Sequence, residues 1–199
     1  MRFSCALTMT ALVLAAQAAA AEVYTFQPAP PDLYDLGHDE AYLWGIGMTV
    51  PEGEAISSAS LFFDNIRDWI GPPNDLYVTL IDAAGLGVTV FQDDENPTNY
   101  FARWGELLVH YEDLPAEGQD VTYEFSASDL DTLNDYVEDG NFGLGFDPDC
   151  HFWNCGVTLT LATEPEGHPH EDPSIPEPPA GAVLLGAVGI IIARRRRCA

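Results

Sequence analysis

The sequence predicts an all-β protein: a jelly-roll-like β-sandwich with one short helix, flanked by an N-terminal signal peptide and a C-terminal hydrophobic helix. Three observations predict the sandwich. The first is alternation. In LYVTL (76–80), VTYEF (121–125) and VTLTL (157–161) one set of alternate positions is apolar and the other carries Tyr, Thr or Glu. That is the period of a half-buried strand. The second is turn chemistry between such runs: PEG at 51–53, GPPND at 71–75, AG at 84–85 and EG at 117–118. The third is spacing. The runs are short, recur at sandwich intervals and show no repeat of fixed period.

The elements follow in order. Strands are expected at 23–26, 42–50, 58–63, 76–80 and 88–90. In the next stretch Tyr100, Trp104, Leu107, Leu108 and Tyr111 fall at helical spacing, but Gly105 interrupts them, and a strand over 107–111 is expected instead. After the strand at 121–125 comes the helix, over 128–137. Ser126 or Ser128 can cap it, Asp129 and Asp131 suit its positive end, and Leu130, Leu133 and Val137 form the inner stripe. Asp139-Gly140 ends it. In the segment GNFGLGFDPDCHFWNCGVTLTL, Phe142, Leu144 and Phe146 face one way and Gly143 and Gly145 the other. Glycines on one face let another backbone approach closely. Residues 147–156 are then expected to be the loop of a long hairpin joining 142–146 to 157–161.

Both ends read as processing segments. Arg2, an apolar stretch over 5–16 and Ala19-Ala20-Ala21 before Glu22 have the layout of a secretory signal peptide, so residues 1–21 are set apart from the fold. The body is 22–163, and an acidic, Pro-containing linker over 164–174 is too polar to form a core. The remainder, 175–199, holds Pro176-Glu177-Pro178, an apolar run over 180–193 and Arg194, Arg195, Arg196 and Arg197. As a helix the apolar run would span roughly 21 Å at about 1.5 Å per residue, short of the roughly 30 Å bilayer core. The arginines would hold its far end in the cytoplasm.

The Pro-Glu-Pro tripeptide, the short apolar run and the terminal arginine cluster, on a chain with a signal peptide, resemble the PEP-CTERM sorting signal of Gram-negative bacteria. The helix, strand, loop and strand order of 128–161 is similar to the C-terminal half of β-sandwich bodies joined to such tails. The resemblance implies two partners in export, signal peptidase and an exosortase that recognises the tripeptide and processes the chain near it. It implies an exported destination in the envelope, at the surface or in the medium, with membrane contact only through the C-terminal segment. It also implies an exopolysaccharide or biofilm setting, and hence a structural or adhesive role.

Charge narrows the function classes. The chain carries 32 acidic and 7 basic residues, a net charge of −25, and the basic ones are all Arg. Between the two processing segments only Arg67 and Arg103 oppose the acids. Such a balance excludes nucleic acid and anionic membrane surfaces as partners, because both need basic patches. Self-repulsion of this size must be offset by salt screening or by divalent cations. No cofactor is required by this reading, and Ca²⁺ is the ion it expects.

The candidate site residues cluster after the glycine-faced strand. Asp147, Asp149 and His151 at alternate positions can offer ligands to Ca²⁺, which takes six to eight oxygens; the competing reading is turn chemistry, with the Asp side chains bonded to nearby backbone N–H groups. Asp64, Asn65 and Asp68 can add ligands if the sheets bring them close. Asp93-Asp94-Glu95-Asn96 reads as a solvated loop. His168, His170, Glu171 and Asp172 form a transition-metal pattern, but on a tether. Cys150 and Cys155, the cysteines of the body, read as a disulfide in an exported protein; the competing reading is two thiols near a metal. Of the tryptophans, Trp44 and Trp104 are expected in the core, and Trp153, in a loop, is the candidate for stacking on a sugar ring. A carbohydrate-binding module, Ca-dependent or not, is therefore the alternative function. No Gly-x-Ser-x-Gly, His-Glu-x-x-His or phosphate-loop motif occurs, so no catalytic residue is assigned and the chain is not expected to be an enzyme.

Overall fold

The computed structural model describes residues 21–69, 74–93 and 98–166. The signal peptide, the sorting residues Pro176, Glu177, Pro178 and Arg194 to Arg197, and His168 to Asp172 lie outside the described residues. Within them the expectation of an all-β chain with one short helix holds. The strands are β1 (Glu22–Phe26), β2 (Glu40–Gly47), β3 (Glu54–Asp68), β4 (Asp75–Ile81), β5 (Gly87–Gln92), β6 (Gly105–Glu112), β7 (Gln119–Glu124), β8 (Asn141–Pro148), β9 (Phe152–Trp153) and β10 (Gly156–Pro165). They form two antiparallel sheets. The first runs β1-β10-β3-β7, with β9 also paired to β3; the second runs β5-β2-β8-β4-β6.

The alternating runs set the interface between the sheets. Leu61, Phe63, Leu159 and Leu161 of the first sheet are fully buried, as are Leu76, Val78, Leu80, Phe142, Leu144 and Phe146 of the second. Phe63 meets Phe146 edge-on at 6.1 Å, a geometry that adds to what area burial contributes. Burying each such side chain is worth about 1.5–3 kcal/mol.

The helix α1 (Ala127–Tyr136) begins where the sequence allowed two caps and uses Ser126. The Ser126 side chain accepts from the Asp129 N–H while Asp129 accepts from the Ser126 N–H, a reciprocal capping box. Leu133 and Val137 are buried and Leu130 packs beside them. One polar side chain ties the helix to the long strand. Asn134 Oδ1 accepts from the Ile56 N–H at 2.8 Å, and its Nδ2 donates to the Ile56 carbonyl at 3.0 Å. Asn134→Ala leaves both backbone groups unpaired and is expected to cost about 1–3 kcal/mol, to be read from urea denaturation.

Two expectations need correction. The segment 147–156 is not a hairpin loop: β8 pairs with β2 and β4, and β10 with β1 and β3, so this stretch crosses from one sheet to the other. β8 is buried through most of its length and β10 at five of its ten residues, and each has two neighbours in its own sheet. The linker also begins later than expected. β10 continues to Pro165, opposite Glu54, and the Glu166 N–H donates to the Gly53 carbonyl.

The second sheet departs from simple alternation because it is covered on both faces. Its inner side meets the first sheet. On its outer side Ala41, Leu43, Ile81 and Phe101 make a second, smaller core with Ala84, Phe91 and Tyr100. Gly143 and Gly145 create the room, but side chains and not the expected backbone fill it. A Cβ on Gly145 would lie 2.6 Å from the Phe101 ring, and one on Gly143 would lie 2.7 Å from the Ala84 Cβ. Residues 98–104 therefore settle directly onto β8.

Candidate cation site beneath the 98–104 segment

Alternation along β8 decides where Asp147 points. Phe146 faces the inner core, so Asp147 faces outward with Gly143 and Gly145, under residues 98–104. It is fully buried. Its Oδ2 accepts from the Tyr100 N–H at 2.7 Å, while its Oδ1 is buried and receives no donor from outside its carboxylate neighbours. Asp93 arrives from the far side of β2. The β2–β5 ladder closes at Glu40 and Gln92, and the Asp93 N–H extends it by one bond to the Asp39 carbonyl at 2.9 Å. Asp149, just past β8, is fixed by its N–H to the Asp75 carbonyl at 2.8 Å.

Asp93, Asp147 and Asp149 thus converge, each with a carboxylate oxygen within 4.8 Å of the others. Burial, above all, pushes Asp147 up to about 7; the Tyr100 N–H opposes this, and the Asp93 and Asp149 charges and a hydrogen bond of the protonated carboxyl with Asp93 add to it. Asp149 is pushed up to about 6, first by burial and then by the charges of Asp75 and Asp93. Three carboxylates this close disfavour one another's ionisation. A divalent cation removes that conflict, and an all-oxygen donor set of this kind suits a hard ion such as Ca²⁺.

A second group borders the first. Asp75 and Glu112 are paired across β4 and β6, as are Tyr77 and His110. His110 Nε2 lies 2.6 Å from Asp75 Oδ1, and the Tyr77 ring stacks on the imidazole at 4.1 Å. Ligand atoms of Asp75, His110 and Glu112 also lie within 4.8 Å of one another. Among the described residues no Ser, Thr or Cys side chain bonds to this His–Asp pair.

Several sequence expectations meet here. Asp147 and Asp149 are brought together as anticipated, but the third member is Asp93 and not His151. Asp93 was read as part of a solvated loop, yet it is 2% exposed, because its signal in the sequence was indistinguishable from its acidic neighbours. His151 instead packs against Trp69 and Trp153, at 5.5 and 5.6 Å. Asp68 does not join either, since its carboxylate accepts from Asn74 Nδ2 at 2.7 Å and from the Cys150 thiol at 2.9 Å.

Cys150 is buried with its Sγ 2.9 Å from Asp68 Oδ1, and the Cys155 N–H donates to the Asp64 carbonyl at 2.8 Å.

The aromatic residues change roles as well. Trp44 is buried as expected. Trp153 is engaged on several sides, by the Arg67 guanidinium 4.6 Å from its ring and by Trp69 at 4.4 Å. Trp104, expected in the core, is 47% exposed. It stands edge-on to Phe91, Tyr100 and Phe101 at 5.5–5.6 Å. Gly105 begins β6 directly after it, so the chain leaves the small outer core at that point. Among the described residues no helix is long and apolar enough to cross a membrane.

In the comparisons with known proteins, no family model and no curated protein matches this chain.

Proposed function

We propose that the protein is an exported surface or extracellular-matrix component whose sandwich is completed by Ca²⁺ at Asp93, Asp147 and Asp149, with a structural or adhesive role. The observation that carries the cation is the fully buried Asp147, whose Oδ1 receives no donor from outside a three-carboxylate cluster. An isolated buried charge costs far more than a structural carboxylate on the surface, so the arrangement is intelligible as a site and not as a packing accident. The cation would hold residues 98–104 to the outer face of the second sheet through Asp147. The facing strands β1-β10-β3-β7 and β2-β8-β4-β6 fit a jelly roll with β5 added at one edge; a fold of that kind hosts many functions and does not select among them.

Export and sorting rest on the sequence: the signal peptide over 1–21, Pro176-Glu177-Pro178 and Arg194 to Arg197, with signal peptidase and an exosortase as partners. An intact mass of protein from native culture tests this. Cleavage near Glu22 and near the tripeptide supports the sorting reading, and retention of the terminal arginines overturns it.

Calcium titration tests the site. At a concentration 100-fold above the dissociation constant the ion should add about 2.7 kcal/mol. For a domain of this size that corresponds to a rise in Tm of roughly 5–10 °C. The comparison is CaCl₂ against NaCl at equal ionic strength, after EDTA treatment. If the two salts shift Tm equally and calorimetry records no binding heat, general screening accounts for the effect and the site is lost.

The second reading is a carbohydrate-binding module. What favours it is the exposed Trp104 face beside this site.

A further inference from the structure

A cavity of about 750 Å³ opens beside the carboxylate cluster, lined among others by Gln92, Asp93, Asn99, Tyr100, Arg103 and Trp104. Its size is ordinary for a small-ligand site. Its chemistry is unusual for this chain in three ways. First, Trp104 offers exposed ring surface while three aromatic neighbours fix it edge-on. A ring held in place loses little freedom when a flat ligand stacks on it. Second, Arg103 is exposed and, among the described residues, makes no ion pair, although the chain has 32 acidic residues to offer it. Arg67, the other arginine of the body, is already engaged over Trp153. Third, Asp93 belongs both to the cavity wall and to the cation cluster.

We propose that this cavity binds an acidic saccharide, a uronate residue of a polysaccharide, with Trp104 stacking on the sugar ring and Arg103 pairing with its carboxylate. The inference rests on the cation reading, since an ion at Asp93, Asp147 and Asp149 offsets most of the negative charge that would otherwise repel a uronate. Elsewhere the strongly acidic surface repels a polyanion, whereas here the Arg103 guanidinium borders the proposed cation cluster through Asp93. The fork of the guanidinium suits a carboxylate. The amides of Gln92 and Asn99 provide donors and acceptors for sugar hydroxyls. Asn99 also positions the segment: its Oδ1 accepts from the Phe101 N–H at 2.9 Å and its Nδ2 donates to Thr79 Oγ1 at 3.1 Å. Because the Tyr100 N–H rests on Asp147, the cation and the saccharide share one support.

The test uses the full chain and a galacturonate trisaccharide, too short to gel with calcium, with a neutral xylose trisaccharide as comparison. Binding is followed by calorimetry in CaCl₂ and in EDTA at equal ionic strength. The acidic sugar is expected to bind in calcium at least tenfold more tightly than the neutral one, and to lose that binding in EDTA. Trp104→Ala should weaken it at least tenfold. Arg103→Gln should abolish the preference for the acidic sugar. Calcium binding without trisaccharide binding overturns the saccharide site and leaves the cation site standing. Equal binding of both sugars, or an Arg103→Gln variant that keeps the preference, overturns the acidic class. Absence of calcium binding removes both.

Discussion

Asp147→Asn is expected to be more stable than wild type without calcium and less stable with it. In the wild-type chain without metal, Asp147 is buried with one oxygen that receives no donor from outside the carboxylate cluster, and its carboxyl is pushed from an ordinary 3.8 up to about 7. Below about pH 4 the group is protonated whether the chain is folded or not. Between about 4 and 7 the folded chain holds a proton that the unfolded chain has released, so stability falls as pH rises, and above about 7 the full cost is present. Asn removes that cost. The metal-free variant should be more stable than wild type at pH 8 by roughly 1–3 kcal/mol, the usual cost of an unsatisfied buried group, and its stability should decline less across pH 4–7. With calcium the order inverts. The wild type gains stability as its ligands deprotonate, whereas the variant, lacking one of the buried carboxylates, responds little. Melts of both proteins in EDTA and in CaCl₂ from pH 4 to 8 read the whole pattern. A variant that is less stable than wild type in EDTA at pH 8 would show that Asp147 serves packing and not a cation.

Phe101→Ala is expected to undo the site without touching a carboxylate. The ring is fully buried and occupies the space left by Gly145, where a Cβ would lie 2.6 Å from it. Truncating a buried Phe costs about 3–5 kcal/mol, equivalent to roughly 6–20 °C in Tm for a domain of this size. Residues 98–104 would lose their grip on the second sheet, and with them the Tyr100 N–H that Asp147 accepts. Calcium affinity should therefore fall together with stability. Gly145→Val offers the same test from the other side, because its methyl groups would displace the ring. If calcium binds Phe101→Ala as tightly as wild type, the segment does not support the site, and the coupling between cation and cavity is lost with it.

These two residues also mark the limit of what could be read before the fold was known. The sequence by itself determined the all-β class, because the period-two runs at 76–80, 121–125 and 157–161 have one way to hide their apolar faces. It determined the helix and narrowed its cap to Ser126 or Ser128, since capping is local chemistry within four residues. It determined that something would approach Gly143 and Gly145, because a missing side chain is visible in the letters. It paired Asp147 with Asp149, which are neighbours on one stretch of chain. It could not supply Asp93. That residue reaches the cluster across β2 from another strand, and nothing in the run Asp93-Asp94-Glu95 distinguishes the carboxylate that is buried. Nor could it place Trp104 outside, Trp153 against Arg67 or Cys150 beside Asp68. Each of these depends on which strands lie side by side and on what covers the outer face of the second sheet. Local pattern reports which face of a strand is apolar, but only the packing of distant segments decides which polar groups are taken out of water together.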